Sequence, residues 1–213
     1  LGRYLREFRK TIFNQVTIGR ILTHSAGLPA YPPTAIVAPG FPAAALALAK
    51  LPFDYPPGAG FQYSDTGFIL LGEVVRRVSG EPLDRYLEKT IFRPLGLHDT
   101  TFRPGASVRE RIAPTEFRNG HWLQGEVHDP RARALGGVAG HAGLFSTAAD
   151  LARISRMLVN EGLIDGRRVL RATTMTPPSE VSDVGLDADA LVLVDDLTLL
   201  ASLATRERVQ RIS

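Results

Sequence analysis

The chain lacks cysteine altogether. Disulfide stapling, thiolate nucleophiles and cysteine-ligated zinc are therefore excluded. Lysine is nearly absent too: Lys10, Lys50 and Lys89 are the only three, and arginine supplies the rest of 25 basic residues. Those arginines are scattered and the formal net charge is only +3, so no basic stripe of the kind that binds nucleic acid is present. There is no long apolar run. The most aliphatic stretch, residues 188–204, is broken by Asp189, Asp195 and Asp196, which are costly in lipid, and no membrane span is expected. No signal peptide is legible, and the chain begins at Leu1 within a basic amphipathic stretch, so it reads as a fragment or a processed chain of open localisation. With 213 residues, 44% of them hydrophobic and 22% charged, it has enough apolar mass for a sizeable core in one globular domain.

Several elements follow from periodicity and capping. Residues 17–24 predict a short helix capped by Thr17, with Ile18, Ile21 and Leu22 on one side. Another short helix is expected after Pro42. The clearest lies in YSDTGFILLGEVVRRVSG, residues 63–80, where Phe68, Leu71, Val75 and Val78 share a face and Gly80 ends the run. The next carries Leu83, Tyr86 and Leu87 inward and is expected to close at Pro94. Residues 95–140 show little periodicity and predict a long ordered surface segment. Thr147 and Asp150 have capping spacing, with Leu151, Ile154 and Leu158 as the buried stripe. Asp165-Gly166 predicts a tight hairpin turn.

Three groups of residues invite chemistry. Ser25, in Thr-His-Ser-Ala-Gly, lacks the first glycine of a nucleophile elbow and follows a helix, not a strand, so Ser25 and His24 are expected to satisfy loose helix-end carbonyls. His121, Glu126, His128 and Asp129 form a conceivable metal-ligand set, but no His-Glu-x-x-His pair exists. His128 and Asp129 are expected to brace the loop or line a cleft, with no metal and no cofactor. Tyr63-Ser64-Asp65 places a phenol and a carboxylate at a helix start, after a Gly/Pro-rich loop. Alone, that triplet is equally a hydrophobic staple.

Its context is more specific. The run at residues 56–102, PPGAGFQYSDTGFILLGEVVRRVSGEPLDRYLEKTIFRPLGLHDTTF, resembles the middle of the serine beta-lactamase-related family. That family includes class C beta-lactamases, penicillin-binding proteins, D-amino-acid peptidases and carboxylesterases. TIGRILTHSAGLPAY (17–31) and GEVHDPRARALGGVAGHAGLFSTAADLARI (125–154) match flanking segments of it in the same order. The resemblance covers residues 1–178; residues 179–213 are a divergent tail. It implies an α+β, beta-lactamase/transpeptidase-like fold, this chain being mainly the helical region with an incomplete antiparallel sheet. It also implies an acyl-enzyme hydrolase of amide or ester bonds in beta-lactams, peptidoglycan-derived peptides or esters, acting outside the cytoplasm.

Residue by residue, Tyr63 corresponds to the family's proton-passing tyrosine, and Asp65 stands where many members have asparagine. His128, Asp129 and His141 are candidate substrate-binding residues; His141-Ala142-Gly143 mimics the family's third motif but runs straight into a capped helix. The first motif is missing: no serine is followed three residues later by lysine, and the resemblance puts that motif before Leu1. The expectation is a chain inactive alone, with partly exposed helix faces open to association. The alternatives are a non-catalytic peptidoglycan- or partner-binding relative, and a metal hydrolase using His121, His128 and Asp129.

Overall fold

A computed structural model describes residues 1–171. The expected 178/179 boundary and the tail lie outside these residues.

The amino-terminal stretch is a pair of 3-10 turns that bury Leu5, Phe8, Phe13 and Val16, with the rings of Phe8 and Phe13 edge to face at 5.2 Å. Helix α1 (Ile18–Leu22) starts where the Thr17 side chain accepts the Arg20 N–H, as expected. Short helices α2 (Thr34–Val37) and α3 (Ala43–Leu48) follow, and Ala44, Ala45 and Leu48 of α3 are buried.

Helix α4 (Asp65–Ser79) is capped at its start by the Ser64 hydroxyl, which accepts the Gly67 N–H. Gly80, at φ 76°, ends it in the left-handed conformation that glycine adopts without strain. The sequence predicted one apolar face. Instead all eleven residues from Asp65 to Val75 are buried, so the first three turns of α4 are enclosed on every side. Val74 belongs to a core with the amino-terminal segment, and Val75 to a second core with the following helices. The polar residue this enclosure traps is Glu73, whose side chain has no exposure. Arg76 binds its two oxygens at 2.6 and 2.7 Å, and Arg77 donates to it at 2.6 Å while also forking onto Glu7. A buried carboxylate is tolerable only when so paired.

Pro94 does not close the next helix. Helix α5 (Leu83–Leu87) passes through a wide π turn, Glu88–Phe92, into α6 (Arg93–Leu95), and Gly96 at φ 66° ends the rod. Proline lacks an N–H and clashes with the carbonyl four residues back; the preceding wide turn accommodates this.

Residues 95–140 are ordered, as expected, and hold more regular secondary structure than their weak periodicity implies. They contain β1 (Thr101–Phe102), β2 (Glu116–Arg118), β3 (His121–Leu123) and α7 (Pro130–Ala134). β2 and β3 form a hairpin about Asn119 and Gly120, both at positive φ. Asn-Gly is the dipeptide that two-residue hairpin turns favour. β4 (Leu144–Phe145) pairs antiparallel with β1, Thr101 opposite Phe145.

Helix α8 (Ala148–Val159) has the expected cap, Thr147 accepting the Asp150 N–H. Its buried stripe is rotated from the expected one. Asp150, Ile154 and Met157 face inward, while Leu151 is 47% exposed. The Asp150 carboxylate is drawn in by the Asp99 N–H and the Thr100 hydroxyl, and this sets the rotation. The expected hairpin at Asp165-Gly166 joins β5 (Leu163–Ile164) to β6 (Arg167–Arg168).

The described residues thus form an α+β assembly, mainly helical, with three two-stranded antiparallel ladders. No helix among them is long and apolar enough to cross a membrane.

One close approach locks the loop after α7 to α4. A Cβ on Gly140 would lie 2.0 Å from the Phe68 carbonyl and 2.9 Å from the Gly72 nitrogen. Gly140→Ala should therefore lower the urea midpoint by the equivalent of about 1–3 kcal/mol, typical of forced overpacking. Gly105→Ala, where a Cβ meets nothing nearer than 3.9 Å, should stay within about 0.5 kcal/mol of the parent chain.

Candidate functional site

Two loops meet at the start of α4. The first, residues 23–30, leaves α1; the second, residues 50–64, leads into α4. They are laced by backbone bonds: Asp54 N–H to the Gly27 carbonyl at 2.9 Å, Gly58 N–H to Ser25 at 2.8 Å and Gln62 N–H to His24 at 2.9 Å. The Ser64 hydroxyl donates to the Pro29 carbonyl at 2.8 Å, and the Asp65 N–H reaches the Ala30 carbonyl at 2.8 Å. Gly27 is required here, since a Cβ would lie 2.0 Å from the Tyr55 carbonyl oxygen.

His24 sits at this junction, 7% exposed and at φ 53°. Its Nδ1 accepts the Ser64 backbone N–H at 3.0 Å. Its ring stacks on Tyr63 (centroids 4.6 Å apart, planes at 29°) and on Phe68 (4.9 Å, 29°). Its Nε2 is buried without a partner among the described residues. An Nδ1 that accepts carries no proton, so the ring is neutral, with its proton on Nε2. Burial agrees, pushing the imidazole down to about 4.

Tyr63 lies at the mouth of this junction and is 39% exposed. Asp65, two residues on, points into the protein and is 8% exposed. Burial pushes its carboxyl upward and the charge of Asp129 adds to that, against His141 and Arg131. No hydrogen bond from the described residues reaches the Asp65 carboxylate.

The structure brings Asp65, Asp129 and His141 together, with one ligand atom of each within 4.8 Å of the others. Asp129 caps α7: its Oδ1 accepts the N–H groups of Arg131 at 2.9 Å and Ala132 at 2.7 Å, and lies 2.8 Å from His141 Nε2. Burial pushes the Asp129 carboxyl up, but these contacts outweigh it and pull the group down to about 2. The His141 side chain is 2% exposed. It stands in the loop before β4 and not on a strand, in keeping with its mismatch to the third motif. Arg131 holds the Pro32 carbonyl at 2.7 Å, lies over the Tyr31 ring at 5.0 Å and approaches Asp129 Oδ2 at 3.7 Å.

His128, expected beside Asp129, is exposed and outside this cluster; its carbonyl accepts from Arg133 at 2.8 Å. The conceivable metal set is not assembled. His121 and Glu126 are exposed, His121 resting near the Asn119 carbonyl and Glu126 3.9 Å from Arg133. Asp65, Asp129 and His141 could in principle reach one small cation. Asp129 Oδ1 is already committed to two amides and an imidazole, however, and a guanidinium stands beside it, so the donor set does not favour a metal. Ser25 is 2% exposed and bonded to the Thr23 hydroxyl at 2.9 Å and to the Arg20 carbonyl, as expected of a helix end. The expectation that the His24 side chain would satisfy a helix-end carbonyl is overturned: its Nδ1 accepts the Ser64 amide, forty residues away, a contact that leaves no local sequence signal.

With this geometry in view, comparison with known proteins is decisive. The beta-lactamase family model matches residues 1–193. The chain belongs to the beta-lactamase family. It is 39% identical over 174 residues to an Escherichia coli O157:H7 protein named "Putative D-alanyl-D-alanine carboxypeptidase", covering 70% of this chain and 40% of the relative. A Salmonella typhimurium protein of the same name is 34% identical over 201 residues, covering 81% and 46%. The chain spans less than half the length of these curated relatives. Among solved structures, a penicillin-binding protein homologue from Caulobacter crescentus superposes with a TM-score of 0.60 at 25% identity, covering 82% of this chain and 51% of that one. A beta-lactamase/D-alanine carboxypeptidase from Pseudomonas syringae superposes with a TM-score of 0.63 at 20% identity, covering 79% and 44%; it supports the fold alone.

The neutral state of His24 links stability to pH. Its folded-state pKa lies below the ordinary value of 6.5, so between that value and about 4 the unfolded chain binds the extra proton. The stabilisation is full above pH 6.5 and is lost as pH falls toward 4, roughly 3 kcal/mol in all. Urea titrations at pH 7 and pH 4 should show this loss, and His24→Asn, which cannot take up the proton, should remove His24's share of the slope.

Proposed function

We propose that this chain is the tyrosine-bearing part of a serine hydrolase that cleaves amide or ester bonds in peptidoglycan-derived peptides through an acyl-enzyme. The observation that carries this reading is a half-exposed phenol, Tyr63, two residues before a buried carboxylate, Asp65, at the start of α4. In this role the Tyr63 phenol passes a proton between the attacking serine hydroxyl and the leaving group. A free phenol, with a pKa near 10, is a poor base at neutral pH and needs a cation beside it. The family's first-motif lysine is that cation by resemblance, and in this reading Asp65 stabilises its ammonium. Substrate contact is assigned to the side of the site that holds Asp129 and His141, with His128 exposed on the segment leading into α7. The names of the carboxypeptidase relatives favour a D-alanyl peptide over a beta-lactam as substrate. Leu151 and Val159 of α8, 47% and 77% exposed, offer apolar contact to other segments or partners.

The chain carries no serine with a lysine three residues on, and loss of the nucleophile costs a serine hydrolase on the order of a million-fold. The 213-residue chain by itself is therefore inactive. Assays with nitrocefin, a p-nitrophenyl ester and a D-alanyl-D-alanine peptide should show no turnover above the uncatalysed rate. A longer gene product carrying an in-frame Ser-x-x-Lys should hydrolyse at least one of them and lose about 100-fold or more on Tyr63→Phe. Turnover by the 213-residue chain that depends on Tyr63 would falsify the assignment of the nucleophile.

A further inference from the structure

Beyond the family's motifs, one buried group remains without a role. His24 contributes no charge and is itself buried, yet it contacts two consecutive residues of the Tyr63-Ser64-Asp65 triplet. Its Nδ1 accepts the Ser64 N–H, and its ring face lies 4.6 Å from that of Tyr63. We propose that His24 is a positioning residue for the proposed hydrolysis: through the Ser64 amide and the stacked ring it fixes the Tyr63 phenol relative to Asp65. The inference rests on the functional reading of Tyr63 given above and deepens it.

Three observations carry it. The Ser64 N–H precedes the first turn of α4 and has no helix partner of its own, so an imidazole nitrogen from another segment satisfies it. The backbone of His24 sits at φ 53°, a region that costs a non-glycine residue free energy and that histidine and asparagine enter more readily than most. Its carbonyl is bonded twice, by the Gln62 N–H at 2.9 Å and the Tyr55 hydroxyl at 3.2 Å, so the strained residue is held at its carbonyl as well as through Nδ1. A ring needed only to fill the core could be apolar, as Phe68 beside it is. What phenylalanine cannot supply is an acceptor at the Nδ1 position.

The test compares His24→Asn with His24→Phe in the 213-residue chain. Asparagine tolerates the backbone conformation and offers an oxygen near the Nδ1 position, whereas phenylalanine keeps the stacking ring and loses the acceptor. Amide hydrogen exchange at Ser64 and spectrophotometric titration of Tyr63, taken as the difference between each protein and its Tyr63→Phe partner, are the readouts. Ser64 protection should survive in His24→Asn and fall by roughly tenfold in His24→Phe, as expected for one lost hydrogen bond. The Tyr63 titration should shift most in His24→Phe, which loses the Ser64 anchor, and less in His24→Asn, which loses only the stacked ring. An unchanged Ser64 amide and Tyr63 titration in a folded His24→Phe chain, with only the melting temperature lowered, would reduce His24 to packing and overturn the proposal. If both variants unfold, nitrogen NMR of His24 in the parent chain decides. An unprotonated Nδ1 at pH 5 to 7 supports positioning; a protonated Nδ1 overturns it. None of these readouts requires turnover, so they can succeed even where the hydrolase reading fails.

Discussion

Enclosure of the first three turns of α4 is the constraint on which the rest of the molecule depends. A helix buried on all sides cannot rest on one neighbour. Here the amino-terminal turns and α1 lie on one side, and α5 with its continuation lies on another. The loop at Gly140 approaches so closely that only glycine fits between the Phe68 carbonyl and Gly72. Polar groups inside such a helix must bring their partners with them. Glu73 does so with Arg76 and Arg77, and the second of these ties α4 to Glu7 in the amino-terminal segment. The network holds the helix in register while leaving its first residues to the site.

Because α4 cannot move, whatever is attached to its first turn is fixed as well. Ser64 faces the cap, the Pro29 carbonyl and His24 at once, through its hydroxyl and its amide. The residue before it is thereby presented to solvent and the residue after it is driven inward. A phenol outside and a carboxylate inside follow from one serine at the helix boundary. The loop pair that surrounds them is held both by backbone bonds and by packing Ala26, Leu28, Leu51 and Phe53 against the core, which is how a long irregular segment stays ordered without secondary structure of its own.

Local signals made much of this frame legible. Thr17, Ser64 and Thr147 all cap, Gly80 ends α4 in the left-handed conformation, and Asp165-Gly166 turns a hairpin. Each depends on neighbours within four residues. The failures have a different origin. Pro94 reads as a stop, but a wide turn five residues long absorbs it. Leu151 reads as core, but the Asp150 carboxylate, claimed by Asp99 and Thr100 some fifty residues away, rotates α8. Asp65, Asp129 and His141 each stand out in the sequence, yet their meeting depends on Gly140 docking against α4, which no local period encodes. The contact of His24 with Ser64 is equally long-range and equally without a local signal.

The two carboxylates of that cluster are not equivalent, and the difference bears on why an aspartate can stand at position 65. Asp129 is half-buried, and two amides of α7 and the His141 imidazole stabilise its charge, so it ionises first. Asp65 then faces an existing negative charge from within a buried setting and is held toward its neutral form. Some compensation comes from its place in the first turn of α4, where the helix dipole favours an anion. A cation arriving beside Asp65 would complete that compensation and draw the carboxyl into its charged form, making the attraction stronger as the cation approaches. An asparagine at the same place could hydrogen-bond the cation but could not change charge in response to it. In the hydrolase reading, Asp65 differs from Asn in carrying a carboxyl whose ionisation burial and the Asp129 charge oppose and a neighbouring ammonium would favour.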